Sequence, residues 1–290
     1  MNFTPISADP SATPHRPPSQ DPPIAATLAR VAARCERWTV RIGLPTGPEW
    51  VPATTVAELL DELLASIGEH YGTADPAVIG TYFLKRYARG AAAAALVCLA
   101  TERRVPDVAP GNVAFRFGPD GRVQEAALVV PTFAALPDDP DAEHPDAVVL
   151  PDVAALRCWL RDRFVCGHLA TIVPLLRQRT RRGPRALWGT ASDMCTGALA
   201  LLAEIEGTLE ATGQLDRESR AFLATGPPLI DAPPFRPIVH AGMLASGWRR
   251  VTCCLAYRLP DHGLCASCPC MDQDERERQL RAQLKQHPGA

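Results

Sequence analysis

The stretch CCLAYRLPDHGLCASCPC, from Cys253 to Cys270, holds five of the chain's ten cysteines within eighteen residues. Four of them form a pattern: Cys253 and Cys254 are adjacent, Cys265 follows after ten residues, and Cys268 follows after two more. The C-x-x-C half is a common metal-binding turn, because it lets two sulfurs face one ion. Side chains of neighbouring residues on an extended backbone point apart, so the adjacent pair reaches a single ion poorly. The pattern therefore favours a site with two metal centres over a single zinc ion.

The number and type of these ligands indicate which metal group the stretch would hold. Four thiolates without a histidine at ligand spacing match the Cys₄ complement of a [2Fe–2S] cluster, whose two irons give the adjacent pair two centres to reach. Structural zinc is the first alternative, followed by disulfides or inert thiols. Covalent haem needs C-x-x-C-H, but Pro269 follows Cys268, and the spacings of Rieske centres and plant-type ferredoxins are absent. The sequence predicts a [2Fe–2S] cluster.

Composition narrows the class of protein. The chain has 290 residues, of which 47% are hydrophobic, and its formal net charge is −2. These values are typical of a globular protein with a sizeable core, and they give no reason to expect nucleic acid as a partner. No segment approaches the ~20 continuous apolar residues of a membrane span, so at most peripheral membrane contact is expected. The start of the chain lacks the features of a secretory signal, which predicts a cytoplasmic protein, where clustered cysteines bind metal more often than they form disulfides.

The run CCLAYRLPDHGLCASC resembles the C-terminal signature of the ferric iron reductase FhuF-like family, the siderophore-iron reductases, whose hallmark is C-C-x₁₀-C-x₂-C. The run YRLP at 257–260, RALWGTAS at 185–192 and the Ala-rich YFLKRYARGAAAAALVCLA at 82–100 are also similar to that family. The resemblance covers roughly residues 55–271. It implies that a [2Fe–2S] cluster is ligated by Cys253, Cys254, Cys265 and Cys268. Cys270 lies outside the motif and is interpreted as a bystander.

The resemblance implies one-electron reduction of Fe(III) in a ferric siderophore, with release of Fe(II) in the cytoplasm and no catalytic residue beyond the cluster. No nicotinamide or flavin fingerprint is present, so a protein donor is expected: a ferredoxin, a flavodoxin or a flavin reductase. The alternatives are a [2Fe–2S] electron-transfer or iron-sensing protein without a siderophore substrate, and a zinc-stabilised binding module. A siderophore synthetase ranks last, because the chain is too short for the adenylating part and lacks a phosphate-binding loop.

Hydrophobic periodicity predicts an α+β fold that is predominantly α-helical. Apolar stripes predict helices at residues 56–71, about 77–103, from 153 to a stop or kink near Pro174, at 186–210 and around 217–224. VAFRF at 113–117, a GPDG turn and RVQEAALVV at 122–130 predict a β-hairpin.

Four parts are predicted along the chain. Residues 1–23 form a disordered Pro-rich tail, because this segment cannot bury enough apolar surface to fold. Residues 24–240 form the helix-rich body that resembles the family. Residues 241–271 form a C-terminal [2Fe–2S]-binding module, and residues 272–290 form a charged tail helix.

Residues outside the motif carry weaker signals. RQRTRRGPR at 177–185 is predicted to be a solvated helix end, with docking of an acidic donor or an anionic chelate as the alternative. Arg249 and Arg250 could lie near the cluster or at the surface. His262 is predicted to be a turn residue and Trp188 a core residue. The remaining cysteines are predicted to be buried thiols: Cys35, Cys98, Cys158, Cys166 and Cys195.

Overall fold

The computed structural model describes residues 21–47 and 49–286, so most of the predicted 1–23 tail lies outside the described residues. The structure is 54% helical with small sheets, which confirms the α+β class with helices predominating. The α-helices are α1 Pro23–Arg34, α2 Leu60–Tyr71, α3 Pro76–Glu102, α4 Val153–Arg161, α5 Ala170–Thr180, α6 Pro184–Glu206, α7 Leu209–Leu223 and α8 Gln273–Gln286. The division of the chain into a body and a C-terminal module stays a prediction.

Helix α3 is the central element of the core. Asp75 accepts a hydrogen bond from the backbone N–H of Ala77 at 2.9 Å, and Pro76 occupies the first helical position, so the helix begins with two favourable signals. Every residue at 91–99 is buried, as expected of a helix that is apolar on all sides. The small alanines let neighbouring helices approach closely, and α3 packs against α1, α2, α5 and α6.

Nine short strands accompany the helices in the described residues. The strands are β1 Val40–Ile42, β2 Trp50–Pro52, β3 Val105–Pro106, β4 Val113–Phe117, β5 Val123–Leu128, β6 Phe133–Ala135, β7 Ala147–Val149, β8 Ile238–His240 and β9 Met243–Ala245. They form sheets of order β1-β5-β4-β2, β3-β6-β7 and β8-β9. β4 and β5 pair antiparallel, which confirms the predicted hairpin, and β1 pairs parallel with β5. β3 and β5 pack on α3.

The segment between α4 and α6 differs from the sequence prediction. A π-helical segment at Asp162–Leu169 joins α4 to α5, and the helix continues through Pro174 instead of stopping there. Pro174 is the fifth residue of α5, where it removes one i→i−4 donor from a helix that continues to Thr180. Helix α7 is also longer than predicted, since it begins directly after Gly207 ends α6 in the left-handed conformation.

Two of the five cysteines outside the 253–270 stretch contradict the prediction of buried thiols. Cys158 and Cys166 are exposed, and Cys35 is only half-buried, whereas Cys98 and Cys195 are buried as predicted. The buried face of this region carries Leu156, Leu160 and Phe164, which recur every four residues. Cys158 and Cys166 are each two residues away from a member of this stripe, so they fall on the opposite, solvent-facing side.

No helix among the described residues is both long and apolar enough to cross a membrane.

Candidate metal centre

Helix α6 carries the segment that leads into the cysteines. A Cβ on Gly189 would lie 3.0 Å from Cβ of Thr252, and a Cβ on Gly197 would lie 3.2 Å from the ring of Trp248. The two glycines are eight residues apart and therefore share one face of the helix. Segment 248–252 thus lies along this face, antiparallel to α6, at a distance that larger side chains would not allow. The stretch RALWGTAS at 185–192, which resembles the family, therefore contains the part of α6 nearest to the cysteine pair.

Asp193 fixes the segment in register between the two glycines. Its buried carboxylate accepts hydrogen bonds from the backbone N–H groups of Val251, at 2.7 Å, and Thr252, at 3.3 Å. Arg250 lies 3.8 Å from the same carboxylate. Burial raises the pKa of Asp193 to about 7, while Arg250 and the two N–H donors oppose this rise. One turn after Gly189, an acid therefore holds the backbone immediately before Cys253.

The five clustered cysteines lie close together in the structure. Sγ of Cys254 lies 3.6 Å from Sγ of Cys265. The sulfurs of Cys253, Cys268 and Cys270 all lie within 4.8 Å of one another. The adjacent cysteines thus have different partners: Cys254 contacts one half of the C-x-x-C turn and Cys253 the other. This arrangement follows from neighbouring side chains pointing to opposite sides of the backbone.

Local backbone geometry shapes the cysteine loop. Leu255, directly after the pair, has a left-handed backbone with φ 62°, and its N–H donates to Sγ of Cys253 at 3.4 Å. In the other half, the N–H of Cys268 donates to the carbonyl of Cys265 at 2.8 Å, which closes the C-x-x-C turn. Both features turn sulfurs inward and place an N–H near one of them, as iron–sulfur sites require.

Electrostatics prepare one thiol of the Cys254–Cys265 pair for deprotonation. The pKa of Cys265 is lowered to about 5 by the hydrogen bond from Cys254, with Arg250 and the hydroxyl of Ser267 contributing and burial opposing. The pKa of Cys254, which donates that hydrogen bond, is raised correspondingly. Arg250 is 8% exposed, and its Nε donates to Oγ of Ser267 at 3.1 Å. Thiolate is the form that binds iron, so a buried cation beside this pair suits a cluster of cysteine-ligated iron.

Arginines from other elements hold the loop by its carbonyl groups. Arg182 donates to the carbonyl of Cys253 at 2.7 Å. Buried Arg276, on α8, donates to the carbonyls of Cys268 and Met271 at 2.6 and 3.0 Å. These contacts connect the adjacent pair to the residues just before α6 and connect the C-x-x-C half to the helix that follows it. The sequence signals for them are weak: Arg182 belongs to an arginine-rich run, and Arg276 lies among many charges of a polar helix.

The structure shows the surroundings of several side chains whose roles were discussed from the sequence. In RQRTRRGPR, Arg182 is half-buried against the cysteine loop, whereas the other four arginines are exposed, as a solvated helix end predicts. His262 is exposed, and its Nδ1 hydrogen-bonds the carbonyl of Pro260 at 2.7 Å within a turn. Trp188 is half-buried against the core. Cys270 is exposed although its sulfur is near those of Cys253 and Cys268, and its interpretation as a bystander stays a prediction.

The cysteine site is open to the surface on one side. Cys253 and Cys265 are half-buried, whereas Cys254 and Cys268 are buried. Next to them, Tyr257 is 47% exposed and Leu264 is 39% exposed, which is high for large apolar side chains. Partial exposure of a redox group is what electron exchange with a docking protein requires.

Comparison with known proteins gives matches over most of the chain. Residues 81–238 match the family described as ferric iron reductase FhuF-like transporter, and residues 250–269 match the FhuF 2Fe–2S C-terminal domain. Among solved structures, the aerobactin synthetase IucC from a hypervirulent pathotype of Klebsiella pneumoniae is similar, at 12% identity and a TM-score of 0.41. That match covers 69% of this chain but 36% of the synthetase, so this chain spans little more than a third of its length. No curated protein matches the sequence.

Proposed function

Because the chain belongs to the ferric iron reductase FhuF-like family and carries its 2Fe–2S C-terminal domain, we propose that it is a ferric-siderophore reductase. Its [2Fe–2S] cluster is held by Cys253, Cys254, Cys265 and Cys268. The observation that carries this ligand assignment is the contact of each adjacent cysteine with a different half of the C-x-x-C turn. Two sulfur pairs suit two irons, whereas a single zinc ion needs four sulfurs around one centre.

The chemistry of the substrate explains why one electron suffices. When bound, a [2Fe–2S] cluster accepts one electron from a donor and passes one electron to Fe(III). Siderophores hold hard Fe(III) with oxygen ligands, and the Fe(II) that forms is softer and is held less tightly by those donors. The residues of this chain therefore do not need to supply a nucleophile or a general base. They need to fix the cysteines, balance the charge at the sulfurs and admit the chelate.

The residues around the cysteines suit that task. Asp193 and Arg182 hold the backbone at Cys253, and Arg276 holds the backbone at Cys268. Arg250 places a buried positive charge near Cys265, which favours thiolate there and an added electron on the cluster. We propose that residues 241–271 act as the cluster module on the helical body, and that the electron donor is a ferredoxin, a flavodoxin or a flavin reductase in the cytoplasm.

The proposal is tested on the anaerobically purified protein. We expect visible absorption bands that bleach on reduction, with about two irons and two sulfides per chain, as the cluster type requires. Mixing the reduced protein with ferric siderophores should restore the bands, and an Fe(II)-specific chelator should trap one Fe(II) per cluster reoxidised. Ser substitutions at Cys253, Cys254, Cys265 or Cys268 should alter the spectrum, whereas Cys270→Ser should leave it unchanged.

Each rival function gives a different result in that experiment. A protein with a reversible cluster that no ferric siderophore reoxidises would be an electron-transfer or iron-sensing protein. A colourless protein containing zinc would be a zinc-stabilised binding module, and the cluster assignment would be wrong. If Cys270→Ser disrupts the spectrum and one of the four proposed ligands does not, Cys270 replaces that residue as a ligand.

A further inference from the structure

An arginine-lined cavity opens beside helix α3. It has a volume of about 380 Å³ and is bounded by α3, by the segment leading into β1 and by the start of β5. Four of its lining residues are arginines, namely Arg37, Arg86, Arg89 and Arg122, and its one acidic lining residue is Glu125. Glu125 is already bound by Arg41 and Arg116 from outside this set. The cavity is therefore strongly positive, although the chain as a whole is close to neutral.

In the described part of the chain, three of these arginines make no hydrogen bond or ion pair with an acidic side chain, although Asp120 lies close enough to oppose, in part, the lowering of the Arg86 pKa by burial. Within residues 21–47 and 49–286, no hydrogen bond or ion pair involves the side chains of Arg37 or Arg89. Nε of Arg86 is buried without a hydrogen-bond partner, and its guanidinium lies over the rings of Tyr71 and Tyr82 at 4.9 and 5.5 Å. Most other half-buried arginines of this chain are paired, so Arg86 and Arg89 stand out, whereas Arg37 is exposed.

Burial makes these charges costly in the absence of an anion. Burial and neighbouring Arg122 lower the pKa of Arg86 to about 10, and burial together with Arg37 lowers the pKa of Arg89. Arg86 still carries its charge at neutral pH, because a pKa of about 10 lies well above 7. A ligand that brings carboxylates into the cavity would relieve both the missing hydrogen bonds and the repulsion between like charges.

The cavity leads towards the cysteine site. An adjoining cavity of about 80 Å³ shares Arg37 and Arg89 with the first and ends at Arg250. Nε of Arg250 donates to Oγ of Ser267, which in turn lies 3.8 Å from Sγ of Cys265. Asp193 also lines this adjoining cavity, and Arg250 and Ser267 connect the cavity to Cys265, a proposed cluster ligand.

We propose that this cavity is the substrate subsite and that it binds an anionic Fe(III) chelate through free carboxylate groups. The inference rests on the proposed reductase function and adds the chemical class of the substrate. Guanidinium groups bind carboxylates through two parallel hydrogen bonds, and the volume is within the usual range for small-molecule sites. Carboxylate-bearing chelates are therefore selected over neutral or cationic hydroxamate chelates.

Binding is tested without electron transfer by using Ga(III), which has the charge and size of Fe(III) but is not reduced. The probes are Ga(III)–citrate, citrate alone and the cationic Ga(III) complex of desferrioxamine B, titrated into the cluster-containing protein by calorimetry. We expect saturable binding of Ga(III)–citrate, at least tenfold weaker binding of citrate alone and no saturable binding of the cationic complex.

Substitutions of the arginines that line the cavity test whether the chelate binds there. Arg89→Gln and Arg86→Gln should each weaken Ga(III)–citrate binding by about tenfold or more, as expected for loss of a charge-assisted pair. Arg37→Gln, which alters an exposed and unpaired side chain, should weaken it by a smaller factor without risk to folding. The matched control is Arg220→Gln, an exposed arginine on α7 that lines neither cavity, and it should bind like the parent protein. An unchanged cluster spectrum in every variant shows that the fold is intact.

Two outcomes separate this inference from the proposed function. If the reduced protein is reoxidised by ferric siderophores but Ga(III)–citrate binding is absent or is the same in all variants, the subsite is wrong and the reductase stands. If binding depends on the arginines but no ferric chelate reoxidises the cluster, the anion site stands and the reductase is wrong.

Two further outcomes concern the selectivity of the cavity. Equal binding of the cationic complex would overturn the carboxylate selectivity, and tighter binding of citrate alone would identify a carboxylate site that does not require the metal.

Discussion

At the scale of single residues, the positions of Cys253 and Cys254 explain why an adjacent pair of cysteines is useful. Their side chains leave the backbone on opposite sides, so one sulfur approaches Cys265 and the other approaches Cys268. This consequence of chain geometry could be argued from the sequence, and the match to the 2Fe–2S domain agrees with the predicted cofactor. The contribution of Arg250 was left open in the sequence, because its burial beside Asp193 depends on the packing of α6.

A second buried site at this scale is the pair of Tyr87 and His168. The Tyr87 hydroxyl donates to Nδ1 of His168 at 2.8 Å, and Nε2–H of His168 donates to the carbonyl of Val108 at 2.7 Å. Both imidazole nitrogens are therefore satisfied in the neutral form. Burial lowers the pKa of His168 to about 4, from 6.5 in an exposed histidine.

This shift predicts that the protein loses stability in mild acid. Between pH 6.5 and pH 4 the unfolded chain binds a proton at His168 that the folded chain does not, so the free energy of unfolding falls as pH falls. The loss from this group reaches about 2 kcal/mol at pH 5. Urea unfolding between pH 7 and pH 5 measures it. In His168→Gln the fall should be smaller by about that amount, whereas His262→Gln, at an exposed turn, should keep the parental slope; identical slopes in all three proteins would refute the prediction.

At the scale of elements, helix α6 organises the cysteine site. Along one face it offers Gly189, Asp193 and Gly197 to segment 248–252, and Glu204 further along accepts from both the N–H and the hydroxyl of Ser246. Gly189, Asp193 and Gly197, at four-residue spacing, thus form a surface on which an extended segment can pack closely and be held by hydrogen bonds. The sequence predicted this helix, but the hydrophobic pattern contains no information on which extended segment would occupy its face.

The turn before this segment gives a prediction for one glycine. Gly247 has φ +61°, and a Cβ there would lie 1.9 Å from the carbonyl oxygen of Arg236. Gly247→Ala should therefore lower the free energy of unfolding by about 2 kcal/mol or more and reduce the iron content, because the backbone directly before segment 248–252 must move away from Arg236. Chemical denaturation and iron analysis measure the two effects. Gly263→Ala, in the cysteine loop where a Cβ has open space, is the control, and equal behaviour of the two variants would show that the close approach is not needed.

The elements that the sequence predicted least well lie between α4 and α7. The π-helical segment at Asp162–Leu169 and the continuation of the helix through Pro174 depend on packing against α3 and on the contact of Gly167 with Pro110. Local propensity favours a stop at proline, and tertiary contacts override it here. The prediction of buried thiols at Cys158 and Cys166 followed the usual burial of free cysteine, although the stripe of Leu156, Leu160 and Phe164 places both on the opposite side of the helix.

At the scale of the whole molecule, the core and the cysteine site are built by different forces. The main hydrophobic core comes from α1 to α7 and from the four-stranded and three-stranded sheets, and among the described residues beyond 246 its buried members are Leu255 and Leu259. The rest of the cysteine segment is held by hydrogen bonds to Asp193, Glu204, Arg182 and Arg276. The cluster is therefore expected to contribute to the stability of its own loop more than to that of the body.

Removing the cluster should separate the stability of the cysteine loop from the stability of the helical body. We expect the metal-free protein to keep nearly all of its far-UV helical signal, while limited proteolysis begins to cut within residues 246–271. The reason is that the helical body keeps its buried apolar surface, whereas four uncompensated thiols remain in the loop. Circular dichroism and mass spectrometry of the fragments measure the two effects. Loss of the helical signal together with the cluster would show instead that the body depends on the metal.

The sequence by itself determined the class of the fold, the central Ala-rich helix, the β4–β5 hairpin and the four-cysteine motif. These follow from the periodicity of apolar residues and from spacings that act over a few residues, and such local rules can be read from a chain. Only the tertiary structure decided that α6 holds the cysteine segment through Asp193, and that Arg182 and Arg276 hold the loop's carbonyls. It also decided that Arg37, Arg86 and Arg89 meet in one cavity next to Arg250. The physical reason is that hydrogen bonds and charge interactions act over a few ångströms in space, between residues whose separation in sequence carries no signal.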